Sequence, residues 1–241
     1  MPDLPPREAT NAPAPTGRAQ QERSAVTHSK ILRAAAEIID ENGFAAATLS
    51  MILERAEVTK GSLYYHFRSK EQIAEELLAI QVPMSRVKPQ SSKFQETIDI
   101  SFIYAHLLQE EPVARAAIRL SIDGGAPPEL DVYGPTRDWI ALATHLMTEA
   151  GAAGHLLPHW TPESAASIIQ STFVGAQLTS MQITGPKRSD LPQRITNMWK
   201  SLLPGLAAPG LLLGLDFEED RWHRIPWEKD EPHASSAMHR P

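Results

Sequence analysis

The chain of 241 residues contains no cysteine. Disulfides, thiolate-held zinc and cysteine nucleophiles are excluded together, and the fold has to rest on packing. Long apolar runs are missing too: none approaches the ~20 residues needed to cross a bilayer, so no membrane partner is expected. The opening stretch MPDLPPREATNAPAPTGRAQQE has neither the basic start nor the apolar core of a secretory signal, which predicts a cytoplasmic protein. Basic residues are not in excess, with 23 Lys and Arg against 29 Asp and Glu and a net charge of -6. Whole-chain charge gives no hint of nucleic acid, so any surface for it has to be local. No stretch longer than a few residues alternates as a strand would, and no period of roughly 20 to 50 residues repeats. The fold class is therefore read as all-α. Catalytic signatures are equally scarce, with no H-E-x-x-H, G-x-S-x-G or phosphate-binding glycine loop. His155 and His159 are four apart, but Gly154 and Pro158 oppose a helix there. The histidines are read as surface or loop groups, and no metal, cofactor or enzymatic activity is expected.

What the chain does have is helical periodicity with clear punctuation. Residues 1 to 23 hold prolines and few large apolar side chains, which predicts a disordered leader whose Arg7, Arg18 and Arg23 are within reach of a phosphate. From Thr27 the residues Ile31, Leu32, Ala35, Ile38 and Ile39 share a helix face that Gly43 ends. Thr48 caps a short helix carrying Leu49, Ile52, Leu53 and Ala56; Thr59 caps another carrying Leu63 and Phe67, with the turn at Glu57 and Val58. Ser69 and Gln72 form a capping-box pattern that opens a helix toward Gln81, stopped by Pro83. Further helices follow from Ser92, Pro112, Pro135, Thr161 and Asp190, separated by the linker VPMSRVKPQSS and the connector DGGAPPELDVYGP. The expected units are a head over 24–70, a helical body over 71–224 and a disordered tail over 225–241.

Two short helices meeting at a tight turn and packed on a longer first helix make a helix-turn-helix, whose second short helix lies in the major groove of DNA. Candidate DNA-binding residues are Thr48, Thr59, Lys60, Gly61, Ser62, Tyr64, Tyr65, His66 and Lys70. Lys60 and Ser62 donate to guanine or phosphate acceptors, and Tyr64, Tyr65 and His66 offer further donors. Gly61 admits a close backbone approach. Thr48 and Lys70 aim a helix start and a cation at phosphate. Phe67 is read as core. Operators for this motif are usually palindromic, which calls for a homodimer with reading helices about 34 to 36 Å apart. The expected dimer face lies on 162–183 and 190–203, with Ala165, Ile169, Thr172, Ala176 and Ile183 on the first and Leu202 and Trp199 extending it. In the body, Trp139, Tyr104, Phe102, Phe173 and Gln177 are candidates to line a cavity for a small, mostly apolar ligand. Arg115 and Arg119, four apart on an apolar helix, are read as pairing with a nearby acid.

The segment from Ile31 to Gln81, with Gly43, Phe44, Thr48, Leu49, Ile52, the run VTKGSLYYHFRSKEQI and Leu77, resembles the TetR family of bacterial repressors. TKGSLYYHF, EPVARAAIRLS and Trp139 in PTRDW make the chain most similar, within that family, to the γ-butyrolactone autoregulator receptors of antibiotic-producing actinobacteria, including those for furan-type signals. It departs from them in its proline-rich leader and at Glu57, where the family often has glycine. The resemblance places the ligand-pocket tryptophan at Trp139. It implies repression at an operator on double-stranded DNA, relief by a small signalling molecule that pushes the helix from Lys70 to Gln81, and control of antibiotic genes. Two other readings stay open: an enzyme acting on a lactone or furan, and an architectural DNA-binding protein with no cavity beside Trp139.

Overall fold

The computed structural model describes residues 17–81, 87–122 and 124–227. Residues 1–16, the linker residues 82–86 with the expected Pro83 stop, and the tail from 228 lie outside the described residues. Ten α-helices and no strand occur among the described residues.

Helix α1, Gly17–Asn42, begins well before the expected Thr27, so the last part of the expected leader is helical. Its Gln, Ala, Arg and Glu residues are good helix formers. Arg18 reaches Glu22 one turn on (3.2 Å), and the Thr27 hydroxyl donates to the Arg23 carbonyl. Ile31, Leu32, Ala35 and Ile39 are buried, and Gly43 ends the helix at φ 79°. Helix α2, Leu49–Ala56, is capped by the Thr48 hydroxyl, which accepts from the Met51 N–H (3.2 Å). It closes on Glu57 at φ 53° and ψ 43°, a left-handed residue. That geometry explains why glycine suits the position and costs glutamate about 1 kcal/mol. Helix α3, Lys60–His66, is capped by Thr59 on the Ser62 N–H (3.2 Å). Helix α4, Lys70–Ala79, is capped by Ser69 on the Gln72 N–H (3.3 Å).

The body comprises α5 (Lys93–Glu110), α6 (Pro112–Ile122), α7 (Gly134–Ala152), α8 (Pro162–Thr184), α9 (Leu191–Leu206), the short α10 (Pro209–Leu212) and a 3-10 turn, Arg221–Arg224. Helices α7 and α8 pack along each other, α9 lies on α8, and α5 runs through the centre against α6, α7, α9 and the 3-10 turn. Head and body share one core: α1 rests on α6, and α4 touches α1, α6 and α7.

The segment after α10, which the sequence reading did not single out, straps the body shut. Asp99 on α5 is fully buried and receives both Nε and Nη2 of Arg221 at 2.8 Å. Gln90 and Gln95 also donate to it (2.6 and 2.8 Å). Gln95 exchanges hydrogen bonds with the Asp216 backbone, and the Thr196 hydroxyl on α9 donates to the Phe217 carbonyl. Ile225, placed in the expected tail, is buried.

Candidate functional site

Helix α3 offers the exposed face that a groove-reading helix needs. Lys60, Gly61, Tyr64 and Tyr65 are exposed, Tyr65 at 78%. Exposed tyrosines that shield no core are unusual and mark a contact surface. Lys60 Nζ stands 5.8 Å over the Tyr64 ring, which holds the ammonium at the start of the helix. A Cβ on Gly61 would meet nothing within 4 Å, so the fold itself does not call for glycine there. Leu63 and Phe67 anchor the inner face, both fully buried.

Acids of the head are paired within the fold. Arg55 on α2 bonds Glu41 through both terminal nitrogens (3.1 and 3.0 Å) and Glu37 through one (3.2 Å). These bonds hold the Glu41 carboxyl below its usual range. Asp40 takes Arg115 at 2.6 Å. Glu37, Asp40 and Glu41 of α1 are therefore each paired with an arginine.

Two expected contacts are reassigned. Lys70 is not aimed at phosphate: its Nζ donates to the carbonyls of Phe44 and Ala47 (2.6 and 2.8 Å) and lies 4.1 Å from the Phe44 ring centre, tying α4 to the α1–α2 turn. His66 is half-buried and edge-on to His28 (centroids 5.6 Å), because the last turn of α3 dips toward α1. His28 stacks on Phe67 and meets Glu76 of α4 (3.1 Å).

Burial first, and then the nearby His28, hold the His66 imidazole below its ordinary value against an opposing pull from Glu76. A base whose folded pKa is lowered binds fewer protons folded than unfolded, so stability falls as pH drops from about 6.5 through the folded value. A melting series should be flat above pH 7 and decline toward pH 5.5, and His66→Gln should flatten that decline. An unchanged decline in the variant would assign the effect elsewhere.

In the body, α5, α6, α7 and α8 enclose a cavity of about 220 Å³. Tyr104, Trp139, Phe173 and Gln177 line it together with Ile118, Leu142 and others. The Tyr104 ring tilts against Trp139 and Phe173 (4.9 and 5.8 Å), and its hydroxyl donates to Gln81 Oε1 at the end of the linking segment (2.7 Å). Burial pushes the Tyr104 phenol well above its ordinary range, so it stays a donor. Trp139 Nε1 and both polar atoms of the fully buried Gln177 have no partner among the described residues. Buried polar groups left unsatisfied cost about 1 to 3 kcal/mol each, and both residues line the chamber.

Phe102 does not line the chamber; it is core, because Ser101 and Tyr104 occupy the cavity side of α5 and Phe102 falls on another face. The cavity residues missed by sequence reading were signalled by helical spacing: Leu142, Ala143 and Leu146 repeat the register of Trp139.

The expected dimer face also needs correction. Ala165 and Ile169 are buried within their own chain, and Trp199 is core, its Nε1 donating to Ser101 Oγ (2.9 Å). The outward side of α8 carries Ile168 and Gly175 beside the expected Ile183, which is 66% exposed. The error was one of phase: a small-residue stripe packs as well on the chain's own helices as on a partner.

A helix-turn-helix with an exposed aromatic and basic reading helix, fused to a helical body that encloses a polar-spotted cavity, defines a ligand-responsive DNA-binding regulator. Residues 31–77 match the family of bacterial regulatory proteins of the tetR type, and residues 91–208 match the tetracyclin repressor-like C-terminal domain. The chain belongs to the TetR family, and it is a transcriptional repressor responsive to a ligand. It is 36% identical to the A-factor receptor protein of Streptomyces griseus over 197 residues, 80% of this chain and 68% of the relative. The crystal structure of full-length native TylP, a TetR regulator from Streptomyces fradiae, superposes with a TM-score of 0.76 at 37% identity, covering 87% of this chain and 97% of that one. A crystal structure of a γ-butyrolactone receptor described as ArpA-like matches with a TM-score of 0.64 at 29% identity, over 78% and 92% of the two chains. These relatives are transcriptional regulators and receptors rather than enzymes.

Proposed function

We propose that the chain acts in the cytoplasm as a dimeric, non-enzymatic repressor whose α3 reads an operator through Lys60, Gly61, Ser62, Tyr64 and Tyr65, and that a signalling molecule of the γ-butyrolactone kind occupies the cavity beside Trp139. The carrying observation is the pair of buried groups, Trp139 Nε1 and the Gln177 amide, without partners among the described residues in the lining of a mostly apolar chamber. They ask for a ligand with an acceptor for the indole and both an acceptor and a donor for the amide. No charged side chain is among the described residues lining the chamber, which favours a neutral lactone over an anionic signal. A cavity beside Trp139 also speaks against a ligand-independent architectural protein. Similarity to antibiotic-linked receptors supports control of antibiotic genes.

The test is a mobility shift on the DNA upstream of the protein's own gene, with a synthetic alkyl γ-butyrolactone added. Wild type should bind and be released. Trp139→Ala should bind that DNA equally well but need at least about tenfold more lactone, the loss of one buried contact of ~1.4 kcal/mol or more. Release of the variant at the wild-type concentration, or no release of wild type, would refute the ligand assignment.

A further inference from the structure

Asp40 lies in the last turn of α1, just before the head's first turn. It is held from the body by α6: Arg115 Nε meets its carboxylate at 2.6 Å, and Arg119 donates to its backbone carbonyl. An adjacent stripe of α6, Ile118, Ser121 and Ile122, lines the ligand chamber. The connector after α6 continues both contacts. Its Tyr133 lines the chamber, while a Cβ on Gly125 would sit 3.3 Å from that of Ala45 in the α1–α2 turn. The same turn is gripped from α4 by Lys70 on the Phe44 and Ala47 carbonyls.

A second cation adjoins this pairing. Arg188, in the turn between α8 and α9, has φ 45° and is only 2% exposed. Its Nε is buried without a partner among the described residues, and its carbonyl accepts from Gln109 (2.9 Å), whose own carbonyl accepts from Arg115 (3.0 Å). Its Nη1 donates to the Pro186 carbonyl (3.0 Å). The α8–α9 turn is thus joined through Gln109 to the arginine that holds Asp40. A contact between head and body that can be made or released is the physical requirement for coupling between sites.

We propose that Asp40 is the positioning residue through which cavity occupancy sets the DNA-reading heads, with α6 as the lever and the Arg115 and Arg119 contacts as its latch. This rests on the ligand-controlled reading above and adds a route beside the push along α4. Occupancy displaces the Ile118 side of α6, Arg115 is drawn from Asp40, and the α1–α2 turn is freed to follow. The separation of the two reading helices in the dimer then changes.

The absence of cysteine makes the test direct, because Ser50→Cys on the exposed side of α2 places one spin label on each head of the full-length dimer. Label-to-label distances are compared in that background for the parent, Asp40→Asn, Ile118→Phe and the double variant. Phenylalanine at 118 grows into the chamber as a built-in occupant; Ser121→Leu replaces it should that chain not fold. The occupant should shift the mean distance in the parent and produce no further shift once Asp40 is asparagine. An equal shift in both backgrounds, or none in the parent, overturns the proposal; so does an Asp40→Asn distribution identical to the parent's. Adding an alkyl γ-butyrolactone to the parent separates the two readings. If the lactone leaves the distance unmoved while the built-in occupant moves it, the ligand assignment fails and the latch stands.

Discussion

Replacing Gly61 by leucine is expected to cut operator affinity by more than about a hundredfold while leaving the protein as stable as before or more so. The two effects have different origins. In the free protein a Cβ at 61 meets nothing within 4 Å, so the larger side chain enters open solvent. Within a helix glycine is about 1 kcal/mol less favourable than alanine, and leucine is nearly as good as alanine, so α3 should gain stability. On DNA the same side chain projects from the reading face at the first turn, where the backbone has to approach the groove. Holding the helix off by the width of a leucine removes several contacts together. Each bidentate base contact is worth about 1 to 3 kcal/mol, so losing two of middling strength, about 4 kcal/mol together, exceeds a hundredfold. Lys60→Ala, by comparison, removes one cation from each reading helix and should lower the salt slope of dimer binding by about 2. Anisotropy titrations at fixed salt, beside thermal melts, decide the matter. Unchanged affinity in Gly61→Leu would mean that α3 does not approach DNA at this residue.

Asp99→Ala should be the most damaging single truncation in the body. The carboxylate is fully buried and accepts from Arg221, Gln90 and Gln95, while the Arg221 side chain is 15% exposed. Removing the acid leaves a mostly buried guanidinium facing α5. Breaking a buried pair this way costs about 3 to 5 kcal/mol, and the partial exposure of Arg221, with its second partner Asp216, places the loss near the low end. Denaturant unfolding at one fixed protein concentration should show it, since dimer stability depends on concentration. The paired change Asp99→Leu with Arg221→Met should recover most of the loss. A loss under about 1 kcal/mol would show that the strap contributes little.

The head could be read from sequence because its signals are local. Thr48, Thr59 and Ser69 each cap the helix expected of them, and Gly43 adopts the left-handed conformation its position implied. Tyr104, Trp139, Phe173 and Gln177 were assigned to the chamber because large or polar residues on apolar helices have few places to go. Their neighbour Phe102 failed because residues two apart on a helix point in very different directions, and composition does not fix the phase. The same ambiguity put Ala165, Ile169 and Trp199 on a partner-facing surface. Lys70 was misread since a cation at a helix start suits a phosphate and a pair of backbone carbonyls equally. Arg115 was expected to find an acid, but Asp40 lies 75 positions away in the chain, a separation that periodicity cannot bridge. The strap was missed for the same reason: nothing near Asp99 announces that its counter-ion is 122 positions later.

That last separation bears on how the protein is made. Asp99 and the arginine that neutralises it leave the ribosome far apart in time, with α6 through α10 emerging between them. At roughly 5 to 20 residues per second, synthesis takes about 6 to 24 seconds to cover that interval of 122 positions. Throughout it the head has its helix caps, but the α6 face on which α1 rests emerges only within that interval. The body meanwhile carries an ionisable group in its central helix without the counter-charge that lets it close. Synthesis therefore supplies the strap last, after the surfaces that head and body share.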